Sequence, residues 1–126
     1  MNYQEQAARN GIPAHADATL VAADTTKDLV AARTNYTIYV QKITYTPTTV
    51  SAQAITVKDN NGTPVPVALI PASQATPYEA DFGAEGLPVT AGVKLFATCT
   101  AGPGGRFKVE GYYKLSSVIS HTAANQ

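Results

Sequence analysis

The sequence has no tryptophan, a single cysteine and two histidines, and only 14% of its residues are charged. Each shortage excludes something. Cys99 has no partner for an intramolecular disulfide, so stability has to come from the core. It sits in an alternating apolar run, Val93-Lys94-Leu95-Phe96-Ala97-Thr98-Cys99, which predicts a small buried hydrophobe. A reactive thiol needs a base or a cationic cluster beside it, and none lies close in sequence. The charged fraction falls well below the quarter or so of an ordinary globular domain. Nine basic and nine acidic residues cancel, and the cations are scattered singly from Arg9 to Lys114. Proteins that grip nucleic acid concentrate a basic excess on one face, so nucleic acid is not an expected partner. Near-zero net charge also removes one barrier to self-association.

Long apolar runs are missing too. No stretch approaches the roughly 20 apolar residues of a membrane span, and no membrane role is expected. The start, Met1-Asn2-Tyr3-Gln4-Glu5-Gln6, is polar and has no apolar signal core, which places synthesis and folding in the cytoplasm of the producing cell. Asn35-Tyr36-Thr37 and Asn61-Gly62-Thr63 are accordingly read as a strand start and a turn, not as glycosylation sites.

What remains is a chain of 126 residues, 44% apolar, enough for one core and too short for two. Residues 1–18 are polar, Ala-rich and broken by Gly11 and Pro13. A short helix over Tyr3–Arg9 would stop at Gly11-Ile12-Pro13, and the segment reads as an N-terminal arm outside the core. From Thr19 the pattern turns to strands. Tyr36, Ile38 and Val40 share one face while Tyr39, Ile43 and Tyr45 share the other. The apolar phase slips across Gln41-Lys42, which predicts either a β-bulge near Lys42 or a strand buried on both faces. Ala54–Lys58 leads into Asp59-Asn60-Asn61-Gly62, a strong turn signal. The return, Val65–Ile70, carries Pro66 after Pro64 and belongs at an edge or is irregular. Residues 93–100 and 107–114 alternate on either side of Ala101-Gly102-Pro103-Gly104-Gly105, which predicts a hairpin. The chain therefore reads as all-β: a single β-sandwich, jelly-roll or Ig-like, of about seven or eight short strands over 19–115. Residues 116–126 form a polar C-terminal tail.

Catalytic and metal patterns are sparse. His15 and His121 lie in the arms without Cys or carboxylate partners at ligand spacing. Glu79 and Asp81 face one way on a strand, with Glu85 beyond. Glycoside hydrolysis would need a second carboxylate across a cleft and an aromatic floor. The sequence has no Gly-x-Ser-x-Gly, and Gly102-Pro103-Gly104-Gly105 leads into a strand without the Lys-Ser/Thr of a phosphate loop. No enzyme activity, cofactor, metal or small-molecule substrate is expected. The lopsided choice is tyrosine, seven against three phenylalanines. Tyrosine supplies stiff contact area with a polar tip and is favoured at interfaces, although it also suits any sheet surface. Tyr39, Tyr45 and Tyr112 fall opposite the best apolar stripes and are the sheet-face candidates.

Several elements together resemble a group of small virion proteins of tailed bacteriophages. These are Leu20-Val21-Ala22-Ala23, the strand Tyr36–Thr46, Ile55-Thr56-Val57-Lys58-Asp59 with its Asn-Gly turn, Phe82-Gly83-Ala84-Glu85-Gly86, Gly92-Val93-Lys94-Leu95 and a last strand over Gly105–Tyr113. The resemblance implies a β-sandwich or jelly-roll module of the capsid decoration (cement) type, without catalytic residues. Its partners would be the major capsid protein and copies of itself, as a dimer or trimer, on the outer capsid surface of the virion. Arms that order against a neighbour suit that task, so Tyr3, Ile12, Pro13, Val118 and Ile119 join the three tyrosines as interface candidates. The alternative expectation is a carbohydrate- or receptor-binding module of a tail fibre or similar assembly.

Overall fold

The computed structural model describes residues 11–21, 24–48, 54–64, 66–72, 75–100 and 104–115. Among them there is no helix, and ten strands follow in order. They are β1 (Ile12–Pro13), β2 (Ala16–Leu20), β3 (Thr26–Val30), β4 (Tyr36–Pro47), β5 (Ile55–Asp59), β6 (Pro66–Ile70), β7 (Tyr78–Asp81), β8 (Leu87–Pro88), β9 (Leu95–Thr98) and β10 (Gly105–Leu115). The first sheet runs β1-β10-β4-β7, with β2 beside β10 and β8 beside β4; the second runs β3-β9-β5-β6. Because β1 and β2 pair with successive stretches of one side of β10, and β7 and β8 with one side of β4, the first sheet is also four strands wide.

The antiparallel partners are nested: β2 with β10, β3 with β9, β4 with β7 and β8, β5 with β6. A long hairpin folded over itself gives that nesting, and its wrapping into two facing sheets is a jelly roll. The core lies between the sheets. Leu20, Ile38, Val40, Ile43, Tyr45, Phe107 and Val109 come from the first sheet, and Leu29, Ile55, Val57, Ile70, Leu95 and Ala97 from the second. Each fully buried large aliphatic or aromatic side chain contributes about 1.5–3 kcal/mol relative to exposure.

The phase slip in β4 is a bulge. Glu110 pairs with Lys42 and Gly111 with Val40, so Gln41 is the extra residue. Val40 and Ile43, three apart, are both fully buried, as period-two alternation alone would not allow. The Asp59–Gly62 turn joins β5 to β6 as expected, and β6 lies at an edge with its register slipping at Pro66. Pro64, Pro66 and Pro71 around that edge remove the donors that would invite a further strand. Asp59, fully buried at the end of β5, accepts bonds from the Thr90 amide at 3.0 Å and hydroxyl at 2.7 Å. It thereby ties the turn to the β8–β9 connection.

Two expectations are corrected. The N-terminal arm does not extend through residue 18. Ile12–Pro13 and Ala16–Leu20 pair with β10, and Ala14 is buried. Small residues fill the inner face there, since Ala16 and Ala18 lie opposite Val109 and Phe107, so a segment of low hydrophobicity still belongs to the core. Residues 93–100 and 107–114 are not a hairpin, because β9 lies in the second sheet and β10 in the first. Alternation records that one face of each strand is buried; it carries no information on the partner. The possible helix over Tyr3–Arg9 and the tail 116–126 lie outside the described residues.

Candidate functional site

The outer face of the first sheet gathers its aromatic side chains into one row. Pro13 is opposite Tyr112, Tyr112 opposite Tyr39, and Tyr39 opposite Pro88. Residues directly paired across a sheet project to the same face, so β1, β10, β4 and β8 each supply one member. The Tyr39 and Tyr112 rings are stacked, with centroids 5.1 Å apart and planes 4° from parallel. The Lys114 ammonium stands 5.9 Å from the Tyr39 ring centroid. Pro13 and Pro88 at the two ends are exposed, Tyr39 is half-buried, and Tyr112 is 8% exposed. Burial, with smaller effects from Tyr39 and Glu85, holds the Tyr112 phenol above its ordinary value, and its hydroxyl donates to the Glu85 carbonyl at 2.7 Å.

The bulge builds one wall of this row. Gln41 accepts the Phe82 amide on its carbonyl at 2.8 Å, and its side-chain amide donates to the Ala84 carbonyl at 2.6 Å. With the Tyr112 hydroxyl on Glu85, this clamps the loop 82–86 to the sheet. Gly86 turns the loop back with φ +79°, where a Cβ would also stand 3.1 Å from the Val40 carbonyl oxygen. A residue with a side chain is strained in that region of φ.

Beyond the row the same face is a grid of opposite charges. Arg106 makes a paired bond to Asp17, 2.6 Å at each nitrogen, and Lys42 meets Glu79 at 3.2 Å. The Arg106 guanidinium holds the Asp17 carboxyl below its ordinary value, and Glu79 holds the Lys42 ammonium above its own. These pairs are exposed and contribute little stability each. His15, Asp17, Lys108 and Glu110 line a shallow depression beside them. Among the described residues no three His, Cys, Asp or Glu side chains are grouped to hold a metal; His121 lies outside those residues. Glu79 is engaged by Lys42, while Asp81 accepts the Gly83 amide at 2.9 Å in the turn after β7.

Of the expected interface residues, Pro13, Tyr39 and Tyr112 come together in the row. Ile12 is half-buried opposite Tyr113. Tyr45 is corrected: it is 2% exposed, packs against Phe107 at 4.9 Å and donates to the Gly104 carbonyl at 2.7 Å. The bulge moves Tyr45 to the face of Val40 and away from that of Tyr39. Tyr3, Val118 and Ile119 lie outside the described residues. The sequence reading missed Pro88, Lys114 and the loop at Glu85. A two-residue strand ending in proline gives no strand signal, and the loop's role depends on a bulge some forty residues earlier, Gln41 to Ala84 being 43 apart. At the end of the sandwich, Tyr36 and Tyr113 meet edge to face at 6.4 Å under the Arg33 guanidinium, and Tyr113 donates to the Ala31 carbonyl at 2.8 Å. Those contacts close the core.

Fold and site together define a jelly-roll β-sandwich that presents a flat aromatic–proline row framed by paired charges. No protein-family model and no curated protein matches the chain. Among solved structures it is similar to Eiger TNF from S. frugiperda, at 14% identity and a TM-score of 0.42, over 82% of this chain and 93% of that one. The jelly roll rests on the strand pairing described above and not on that likeness.

Proposed function

We propose that this chain is a structural assembly protein, which acts by packing against other proteins and catalyses no reaction of its own. Its particular role would be a decoration protein of a tailed-bacteriophage capsid, seated on the outer surface and bracing neighbouring capsomers. The observation that carries the packing role is the row Pro13–Tyr112–Tyr39–Pro88, four cross-strand partners on a solvent-facing sheet. Tyrosine and proline lose little conformational freedom when covered, so a rigid sheet bearing them is suited to a broad, flat contact. The phage assignment is supported by the sequence elements quoted above.

The stacking geometry favours protein packing over sugar binding. A sugar platform needs open aromatic faces, whereas Tyr39 and Tyr112 each have one face covered by the other, Lys114 stands over the Tyr39 ring and Tyr112 is buried. The test is occupancy on the source particle, with purified chain added back to capsids stripped of it. Wild-type chain is expected to rebind in many symmetric copies, and Tyr39→Ala to rebind at least about tenfold more weakly, as for a central aromatic contact. Absence of the chain from virions, or undiminished rebinding by Tyr39→Ala, would remove this reading. A positive glycan array together with bare capsids would replace it with the sugar-binding one.

A further inference from the structure

The chain is neutral as a whole, yet its surface is electrically divided. On the outer face of the second sheet, Phe96 lies in register between Asp28 and Lys58. The ammonium groups of Lys58 and Lys94 each stand 5.7 Å from its ring. Lys94 is paired with Asp28 at 2.8 Å, whereas Lys58 has no ion pair among the described residues. Leu69, in register with Thr56 on that face, is 57% exposed. The face is therefore cationic and partly apolar. The β7 edge of the first sheet has the opposite sign. Glu79, Asp81 and Glu85 are exposed along it, and the ion pair found there is the one from Lys42 to Glu79.

We infer that these two surfaces are the two halves of a head-to-tail contact between copies of this chain, the acidic β7 edge of one seated on the Phe96 face of the next. The inference does not rest on the capsid role proposed above; it concerns only how copies of this chain meet. Three observations favour a second copy as the occupant. The two patches are complementary in sign, and zero net charge leaves no overall repulsion to overcome. Leu69 and Phe96 add apolar area that ion pairs alone would lack. The patches also lie on different sides of the sandwich, so the contact is heterologous and closes into a ring larger than a dimer or runs on as a chain. A twofold dimer through either patch would set lysine against lysine or carboxylate against carboxylate. An acidic segment of another protein would leave the β7 edge unused. Nucleic acid would need a longer cationic track than Lys58 and Lys94 provide.

Sedimentation of the full chain over a range of concentration and salt tests the contact. Four proteins are compared: wild type, K58E/K94E, E79K/E85K, and the variant carrying all four reversals. Wild type is expected to associate beyond a dimer and to weaken with salt. Each double variant should raise the dissociation constant by roughly tenfold or more, as for like charges brought together at an interface. The fourfold variant should recover association, and an equimolar mixture of the two double variants should associate as well. A wild type that stays monomeric or stops at a dimer overturns the contact. So do double variants that sediment as wild type, or a fourfold variant that folds by circular dichroism yet stays monomeric. Binding of polyglutamate or duplex DNA in place of self-association overturns it too. Capsid occupancy is read separately: rings that form while capsids stay bare would remove the decoration role and leave this contact standing.

Discussion

Gly111 lies directly opposite the bulge at Gln41, and a Cβ at position 111 would run into the Tyr39 carbonyl oxygen. The two backbones approach closely there, where the extra residue breaks the regular pairing of β4 with β10. The obstacle is backbone, which cannot swing aside as a flexible side chain can. Gly111→Ala is therefore expected to destabilise the fold by about 3 kcal/mol, at the upper end for overpacking. Urea denaturation, read as a lower midpoint at unchanged slope, checks it.

Gln41 tests what the bulge is for. Gln41→Leu would keep the buried volume but lose the bond to the Ala84 carbonyl. The expected loss is about 1–2 kcal/mol, with faster amide exchange confined to residues 82–86. Unchanged exchange in that loop would mean that the side chain does not hold it.

Thr90 supplies two of the bonds that the buried Asp59 carboxylate accepts. Thr90→Val removes the hydroxyl and leaves the amide. It is expected to cost about 1–3 kcal/mol, the range for taking one donor from a buried acceptor. Thermal unfolding of the two proteins at neutral pH measures it.

The paired bond between Arg106 and Asp17 gives a pH dependence of known sign. The folded Asp17 carboxyl is held below its ordinary value of 3.8, chiefly by the Arg106 hydrogen bond. The pair's contribution is thus fully present above that value and is lost as pH falls through the lowered folded value. NMR titration should show the Asp17 carboxyl moving back up in Arg106→Gln. An unchanged titration would mean that the pair does not persist in solution.

Cys99 offers a chemical check on the fold. It is half-buried, its thiol lies 3.5 Å from the Asp24 carbonyl, and burial, helped by Asp24, raises it from an ordinary value of 9.0. Alkylation at pH 8 should be slow in the native protein and fast once urea unfolds it. Equal rates would contradict the position of β9 against β3.

Much of this fold is legible in the sequence wherever local chemistry decides it. The three-residue spacing of Val40 and Ile43 marks the bulge, Asn60-Asn61-Gly62 marks the β5–β6 turn, and Pro66 marks an edge. Partners at long range are not legible. Residues 93–100 and 107–114 alternate as hairpin strands would, yet belong to different sheets, because burial of one face looks the same beside any neighbour. Ala16 and Ala18 conceal a core strand, since alanine is what fits opposite Phe107 and Val109. The candidate site is half legible. Tyr39 and Tyr112 stand out by phase, but Tyr45 changes face once the bulge is included, and Pro88 enters the row only through the fold.

On the function proposed above, the Tyr39–Tyr112 face of the first sheet packs against the capsid. Imaging the source virion by electron cryomicroscopy tests it most directly. This chain is expected in many symmetric copies on the capsid, with Pro13, Tyr39, Tyr112 and Pro88 covered by capsid protein. A virion without the chain, or one in which that row faces solvent while the chain is held elsewhere, would contradict it.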